Sequence, residues 1–338
     1  MASKAVYSFE TRGKISDLIE RTQPTIAHCH NIYHHLSPSI LHELKARHVP
    51  VVMTLHDLKI ACPAYKMLSN NEICERCKGG KFRNLLARRC MKGSLALSGV
   101  VWLESTLHRW LGSYTGCVDR FVVPSRFFLE KFIEWGWPRE QFAYIPNFID
   151  ARTLEPRYAA GERFVYFGRL SEEKGVDTFV TAIAKSGTKG TIVGTGPIEA
   201  HLKELVRELG ADIEFAGFQT GANLHALVAG AGAIVLSSVW YENAPLSLME
   251  ASSLGKPVLG ARIGGIPELI REGETGAIFE SGSTDDLVRL LGHYQAMNNA
   301  EIERQGKNGR EWITTQFSSA RYIDSISGLY RNILQERR

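Results

Sequence analysis

The sequence predicts an α/β protein with two domains, each built on a doubly wound parallel sheet. Short runs of β-branched and aromatic residues alternate with helical patterns along most of the chain, and this alternation is typical of parallel sheets covered by helices. The length of 338 residues suffices for two hydrophobic cores of ordinary size. In the stretch 145–160, Pro146 and Pro156 stand among few long apolar runs and predict a linker between the domains.

The first domain is predicted to span residues 1–148. Apolar residues at helical spacing between Val6 and Arg21 predict an amphipathic helix. Two short apolar runs on either side of a further helical pattern predict a βαβ unit, and a cysteine-rich segment at about 59–93 is interpreted as an insertion. The elements expected here are strands at 25–29, 50–55 and 120–123 and helices at 38–47, 95–111 and 125–135.

The second domain is predicted to span residues 149–318 and alternates more regularly. Each predicted strand is a short β-branched or aromatic run that closes on Gly, Ser or Pro, and helical patterns separate the strands, as in a parallel doubly wound sheet. These strands are expected at 163–168, 190–194, 212–216, 233–237, 257–260 and 276–279. The last segment, 319–338, is expected to be a helix that packs back toward the first domain.

The composition predicts a soluble, cytoplasmic protein. The chain is 44% apolar and 22% charged, and its first twelve residues contain no apolar run of the kind that signal peptides have. The longest apolar candidate, 94–103, is far shorter than the roughly 18 residues that a bilayer-spanning helix needs. Neither secretion nor membrane crossing is indicated.

Basic residues are concentrated in one segment of the first domain, where seven of them fall within seventeen residues against one acid, Glu75. They are Arg76, Lys78, Lys81, Arg83, Arg88, Arg89 and Lys92. A solvated loop is one interpretation. Contact with an anionic surface, such as the inner face of a membrane or a phosphorylated glycan, is the other. Few aromatic residues are interleaved, which argues against nucleic acid as a partner.

Four of the six cysteines follow a C-x11-C-x2-C-x12-C pattern, formed by Cys62, Cys74, Cys77 and Cys90. Four thiols around a C-x2-C pair have the ligand count of a tetrahedral structural zinc site. The outer spacings are looser than in common zinc ribbons, so reduced thiols without metal, or disulfides under oxidation, stay open as alternatives.

Cations and glycines follow the predicted strands of the second domain. Arg169 and Lys174 come after its first strand, at the edge where open α/β sheets bind ligands. A planar guanidinium and a mobile ammonium suit a diphosphate. Glycine turns follow two other strands and, having no Cβ, would let a phosphate or a sugar approach the backbone. These glycines are Gly194, Gly196, Gly264 and Gly265.

Two carboxylates flank the start of another predicted helix. Glu242 lies in a strand-to-helix turn, and Glu250 lies one to two turns inside an otherwise apolar helix that Pro245 can start. A carboxylate in such a helix needs a partner if it is buried. A hydroxyl group of a sugar nucleotide would be one such partner.

These motifs, in this order and at these separations, resemble the retaining glycosyltransferases of family 4, which have the GT-B fold. The resemblance rests on F-G-R-L-S-x-E-K-G at 167–175, G-x-G-P at 194–197, E-x7-E at 242–250 and G-G-x-P-E at 264–268. It extends to the first half through segments at 27–31, 52–57, 123–125 and 145–148. It implies two Rossmann-like domains that face a cleft, with the nucleotide-sugar donor held mainly by the second.

The resemblance also implies roles for individual residues. Arg169 and Lys174 would clamp the donor diphosphate, Glu242 would contact the transferred sugar, and Glu250 would contact the ribose hydroxyls. His56, in a T-x-H-D turn after a strand of the first domain, would reach the donor sugar or phosphate. The full set of donor-binding residues implied is Gly168, Arg169, Lys174, Gly194, Gly196, Glu242, Asn243, Ala244, Pro245, Leu246, Glu250, Gly264 and Gly265.

The implied reaction is transfer of a sugar from a UDP- or GDP-sugar to a glycan, a lipid-linked acceptor or a small molecule, without a required metal cofactor. No D-x-D triplet stands at a comparable strand end, so the cation pair would supply the electrostatics that a divalent metal otherwise gives. Family members normally begin with a strand and a glycine-rich loop, whereas this chain begins on a helix. We therefore expect an incomplete acceptor-side domain, and a non-catalytic or split-subunit protein that binds sugar nucleotides is the alternative.

Overall fold

The computed structural model describes residues 6–33, 36–69 and 72–337. It divides into two compact units, one formed by Met1–Pro146 with Ile323–Arg338 and the other by Asn147–Tyr322. Each unit has its own parallel sheet.

The sheet of the first unit has the order β1-β2-β5-β6, and all its pairings are parallel. Its register sets His30 opposite Thr54, so β1 and β2 end side by side. A separate two-stranded hairpin, β3 and β4, lies in the cysteine-rich insertion. The strands are β1 Ala27–His30, β2 Val51–Thr54, β3 Leu68–Ser69, β4 Glu72–Ile73, β5 Arg120–Val123 and β6 Phe142–Tyr144.

Three helices of the first unit begin at a serine whose side chain caps the helix. Ser8, Ser94 and Ser125 each accept a hydrogen bond from a backbone N–H of the first turn, which satisfies a donor that the helix itself leaves unpaired. The described helices are α1 Phe9–Thr22, α2 Ser39–Ala46, α3 Arg83–Ala87, α4 Leu95–Trp110 and α5 Arg126–Glu134. Short 3-10 turns lie at Lys78–Gly80 and Arg139–Gln141.

The second unit contains a six-stranded sheet with the order β12-β11-β10-β7-β8-β9. Every pairing is parallel. The strands are β7 Arg163–Phe167, β8 Lys189–Val193, β9 Ile213–Gly217, β10 Ala233–Leu236, β11 Val258–Ala261 and β12 Gly276–Phe279.

Both faces of this sheet are buried. Along β7, Phe164 and Tyr166 join one hydrophobic cluster, while Val165 and Phe167 join another, as the two-residue period of a strand requires. The helices that cover the sheet are α6 Val176–Ser186, α7 Glu199–Leu209, α8 Gly221–Ala229, α9 Leu246–Ser253, α10 Thr284–Ala296 and α11 Asn299–Gln316. Short 3-10 turns lie at Ala151–Thr153, Glu172–Lys174 and Ile266–Leu269.

The last helix, α12 Ser319–Glu336, continues from the second unit into the first. Its Tyr330 hydroxyl lies 2.5 Å from Nδ1 of His28 in β1. Its Glu336 accepts hydrogen bonds from Arg120 of β5 at 3.1 Å. These contacts attach the end of the chain to the sheet of the first unit.

The structure differs from the sequence expectations in two segments. Phe142–Tyr144 is a strand that the sequence did not predict, because three residues after a 3-10 turn are too few to show a period. Part of the predicted linker is packed: Leu154 is buried in a core cluster of the second unit, and its carbonyl accepts a hydrogen bond from Arg310 at 3.0 Å. Among the helices described, none is both long enough and apolar enough to cross a membrane.

Candidate active site

The strand order of the second unit places a ligand-binding crevice between β7 and β10. From β7 the chain continues to β8 on one side, whereas from β10 it continues to β11 on the other. Neighbouring parallel strands that lead away in opposite directions form a topological switch point, where open α/β sheets bind ligands. The loops that follow these two strands carry Arg169, Lys174 and Glu242.

An ion pair joins these two loops. Nζ of Lys174 lies 2.6 Å from Oε1 of Glu242, and the hydroxyl of Ser238 donates to the same carboxylate oxygen at 2.6 Å. The Glu242 side chain is 8% exposed and that of Lys174 is 27% exposed. A buried carboxylate is tolerated when charge and hydrogen bonds compensate its lost hydration. The pair therefore fixes one negative and one positive group at the mouth of the crevice.

The loop after β11 is packed directly against Glu242. The backbone N–H of Gly265 donates to the Glu242 carbonyl oxygen at 2.8 Å. Gly264 has a φ of +58°, and a Cβ there would collide with the backbone of Glu242. Glycine is thus required at 264 by a neighbouring backbone, in addition to any approach by a ligand.

The glycines after β8 have a similar requirement. Gly194 has a φ of +138°, and a Cβ there would collide with the carbonyl oxygen of Gly168. A Cβ at Gly196 would collide with the carbonyl of Leu170. These glycines thus allow the loops after β7 and β8 to pack together, and their contact with a ligand stays a prediction.

Arg169 is the exposed cation of the crevice. Its guanidinium has no hydrogen-bond or ion-pair partner within residues 6–33, 36–69 and 72–337. Lys174, in contrast, is held by Glu242, and its ammonium lies 5.3 Å from the centroid of the Trp240 ring. An unpaired guanidinium in the loop that also carries Lys174 is available to an anionic ligand.

The residues between the two carboxylates link Glu242 to α9. Pro245 precedes the helix and Leu246 begins it, while Ala244 is buried. The side-chain amide of Asn147 donates to the Ala244 carbonyl at 3.1 Å. Asn147 was noted in the sequence only as part of a family-like segment, because the partner it holds is 97 residues away.

Glu250 is half-buried in α9. Its side chain is 24% exposed, and its Oε1 lies 3.1 Å from Nε2 of His225 in α8. The partner that the helix position required is therefore an imidazole of the chain itself. His225 was missed because the preceding helix shows no motif that distinguishes one histidine from another.

In the first unit, His56 belongs to a row of imidazoles. Nε2 of His56 lies 2.8 Å from Nδ1 of His30, the last residue of β1. Nε2 of His28 lies 2.7 Å from the hydroxyl of Thr54, and the ring centroids of His28 and His30 are 4.4 Å apart. The parallel register of β1 and β2 brings these side chains together at the carboxyl end of the sheet.

Burial keeps these imidazoles uncharged near neutral pH. It lowers the pKa of His28 to about 4, with further contributions from His30 and His56. Burial also lowers the pKa of His30, and burial together with His30 lowers the pKa of His56. A neutral imidazole can accept a hydrogen bond from a hydroxyl group, which His⁺ cannot.

The four patterned cysteines line one small cavity in the insertion, with walls that include Met67, Leu68 and Leu85. All four are free thiols. A hydrogen bond from the Cys77 thiol lowers the pKa of Cys62 to about 7. Over the described ranges, no group of three or more His, Cys, Asp or Glu side chains is arranged to hold a metal ion. Zinc at these thiols therefore stays a prediction.

Comparison with known proteins agrees with this geometry. A family model described as Glycosyltransferase Family 4 matches residues 2–153, and one described as Glycosyl transferases group 1 matches residues 155–312. The structure of Anabaena Alr3699/HepE in complex with UDP and glucose is similar, with a TM-score of 0.70, 17% identity, and coverage of 94% of this chain and 81% of that one. Sucrose-phosphate synthase from Thermosynechococcus elongatus has a TM-score of 0.73 at 19% identity, covering 96% and 77%.

Two relatives illustrate the sequence similarity. The chain is 30% identical over 217 residues to the N-acetyl-alpha-D-glucosaminyl L-malate synthase of Bacillus anthracis, covering 59% of this chain and 56% of that protein. It is 28% identical over 239 residues to a GDP-mannose-dependent alpha-(1-6)-phosphatidylinositol monomannoside mannosyltransferase of Mycobacterium tuberculosis, covering 62% of each. The chain thus spans little more than half the length of these relatives.

The two parallel sheets, with a charged crevice in the second, define a protein of the GT-B class. The two family matches together account for nearly the whole chain. The chain belongs to glycosyltransferase family 4.

Proposed function

We propose that the protein transfers a sugar from a nucleoside diphosphate sugar to an acceptor hydroxyl with retention of anomeric configuration. The observation that carries this proposal is the Lys174–Glu242 pair beside the unpaired Arg169, at the switch point of the second sheet. This site offers cations for a diphosphate and a carboxylate for sugar hydroxyls.

The chemistry follows from where charge develops. As the bond between the anomeric carbon and the diphosphate oxygen breaks, negative charge grows on the leaving group. Arg169 and Lys174 would stabilise that charge without a metal ion. The acceptor oxygen forms the new bond on the same face, and its proton passes to an oxygen of the departing phosphate. Glu242 would hold the transferred sugar, and neutral His56 would accept a hydrogen bond from the donor.

We propose a UDP- or GDP-sugar as the donor. Structures of similar fold were solved with UDP and UDP-glucose, and one relative is named as GDP-mannose-dependent. Glu250 and His225 would face the ribose, because a carboxylate and an imidazole both accept hydrogen bonds from ribose hydroxyls. The acceptor is proposed to be a glycan, a lipid-linked saccharide or a small molecule.

The test is donor binding followed by turnover. A thermal-shift screen of nucleoside diphosphates and their sugars identifies the donor, because a ligand that binds the native state raises the melting temperature. With that donor, we expect slow release of nucleoside diphosphate that is lost in Lys174→Ala and Glu242→Ala, while both variants stay folded.

The alternative function, a non-catalytic or split-subunit sugar-nucleotide-binding protein, is the opposite outcome of the same test. It predicts donor binding with no release of nucleoside diphosphate in the presence of any acceptor. Lys203→Ala is a matched control, since Lys203 is also an ion-paired lysine of the second unit, remote from the crevice loops in sequence.

We further propose that the four thiols of the insertion hold a structural zinc ion. Their convergence on one cavity supports this, because zinc binds several thiolates at one point. Metal analysis of protein purified without chelator is the test, with one zinc per chain as the expected result. Less than stoichiometric zinc together with four titratable thiols would contradict the site.

A further inference from the structure

The helix α4 presents an uncharged apolar face to the surface. Leu95 is 55% exposed, Leu103 is 52% exposed and Trp110 is 81% exposed. At 3.6 residues per turn these three side chains fall within about 80° of one another around the helix. Ser98, Val101, Glu104 and His108 lie on the opposite, buried face. Large aliphatic and aromatic side chains gathered on one exposed helix face mark an interaction surface.

The segment that contains α4 carries little acidic charge of its own. Between Arg76 and Val118 the sequence contains one acidic residue, Glu104. Its side chain is 3% exposed and pairs with the buried Lys59 at 2.8 Å. No carboxylate of this segment therefore opposes contact with an anionic surface.

Exposed basic residues flank both ends of α4. At the amino end, Arg89 and Lys92 directly precede Ser94, which caps the helix. At the carboxyl end, the Arg109 guanidinium lies 5.9 Å from the centroid of the Phe82 ring, which brings Lys81 and Arg83 to that end.

The basic side chains near α4 differ in whether they have a partner. Arg88 donates to Ser69, and Lys78 pairs with Glu134. Lys81, Arg83, Arg89 and Lys92 are exposed and have no hydrogen-bond or ion-pair partner for their side chains in the part of the chain that the structure describes.

We propose that α4 and its four flanking cations, Lys81, Arg83, Arg89 and Lys92, form a docking surface for an anionic lipid bilayer. The apolar side chains would enter the boundary between headgroups and acyl chains while the cations contact anionic headgroups, as in helices that lie in the plane of a membrane. At 16 residues, α4 is about 24 Å long and suits lying on a membrane rather than crossing it. This pattern favours a lipid surface over a protein partner, because unpaired cations flank both ends of the apolar face of α4.

The test is binding to vesicles of phosphatidylcholine with and without phosphatidylglycerol, measured by co-sedimentation. The chain should bind the anionic vesicles, and the binding should weaken as salt rises. The variant Leu103→Ser/Trp110→Ser should lose at least tenfold in partitioning. Its matched control, Leu209→Ser/Phe218→Ser, removes two exposed apolar side chains from the second unit and should bind as the unmodified chain does.

A second pair of variants tests the charges. Replacing Lys81, Arg83, Arg89 and Lys92 by Gln should lower partitioning by about fivefold for each side chain removed. Replacing Lys185, Lys189, Lys203 and Lys307 by Gln makes the same change in net charge on the second unit, where each of these lysines has an acidic partner. This control should retain binding.

Absence of binding to anionic vesicles would overturn the proposal, and so would equal losses of vesicle binding in the two quadruple variants. A third contrary result would be a self-associated chain that Leu103→Ser/Trp110→Ser converts to monomer while vesicle binding is unchanged. The last would assign the face to a second copy of the chain. Vesicle binding needs no nucleotide sugar, so its failure would leave the proposed transfer reaction standing, and failure of transfer would leave vesicle binding standing.

Discussion

The two sheets carry different chemistry at the same kind of position. After β7 and β10 of the second unit, the carboxyl edge holds the ion pair of Lys174 and Glu242 with Arg169 nearby. After β1 and β2 of the first unit, the carboxyl edge holds the imidazoles of His28, His30 and His56. Burial lowers the pKa of all three imidazoles. One edge carries fixed charge, and the other carries neutral imidazoles.

The difference shows which kind of ligand group each edge suits. A diphosphate requires permanent positive charge, which Arg and Lys keep at any physiological pH. A sugar hydroxyl donates hydrogen bonds, and a neutral imidazole can accept one. This contrast would be broken if substitutions at the two edges had the same effects.

The largest effect is expected at the charged edge. Lys174→Ala should lower kcat by about 10² to 10³, because a preorganised cation at the leaving diphosphate would be lost. The measurement is steady-state release of nucleoside diphosphate, with melting temperature as the check on folding. A decrease below threefold would remove Lys174 from the proposed role.

Glu250→Gln should weaken nucleotide binding by about 1 to 3 kcal/mol, if a charged hydrogen bond to the ribose is lost. Isothermal calorimetry with the nucleoside diphosphate measures the change. Glu199→Gln, which also alters an ion-paired glutamate of the second unit, is the control and should bind normally. Unchanged affinity in Glu250→Gln would refute the ribose assignment and leave the His225 pair as a structural contact.

Substitution of an imidazole at the carboxyl edge of the first sheet should change the stability of the protein at acid pH. Since the pKa of His28 is about 4 in the folded protein, below its ordinary value near 6.5, the folded state disfavours protonation. The resulting stability is present above pH 6.5 and is lost as the pH falls from 6.5 toward 4. His28→Asn should make the melting temperature fall less steeply over that range. An unchanged slope would mean that His28 does not titrate this way.

The smallest effect is expected from His30, a positioning residue for His56. His30→Phe removes the 2.8 Å contact between the two rings and should lower kcat/KM by about tenfold, on the scale of one lost neutral hydrogen bond. The acidic limb of the pH profile should also move, because His30 contributes to the lowered pKa of His56. His30→Asn, which keeps an acceptor, should recover part of the rate. A merely structural residue would lower the melting temperature without moving the profile.

Much of the second unit was predictable from local pattern. The strands β7, β8, β9, β10, β11 and β12 all lie within one residue of the predicted positions, because short runs closed by Gly, Ser or Pro are a strong signal for buried parallel strands. Arg169, Lys174, Glu242 and the glycine turns were singled out because each lies in a loop that follows a strand. The sequence alone therefore identifies the groups at the carboxyl edge of the second sheet.

Other features depend on residues far apart in the chain. The partners of Glu242 and Glu250 include Ser238 and His225, and neither belongs to a motif. His30 lies in the segment 27–31, which was noted only for its resemblance to the family, and only the register of β1 against β2 shows that it contacts His56. The exposed face of α4 was likewise hidden, since a helical pattern does not reveal which side a neighbouring element covers.

The sequence by itself determined the two α/β halves, the order of strands and helices along the chain, and which charged residues and glycines stand at strand ends. These are local properties, set by periodicity and turn chemistry over a few residues. The tertiary structure alone decided the order of the strands within each sheet, the pairing of Lys174 with Glu242, the row of imidazoles and the convergence of the four thiols. Those contacts join residues tens to hundreds of positions apart, and parallel strands have no fixed neighbour until the whole sheet is packed.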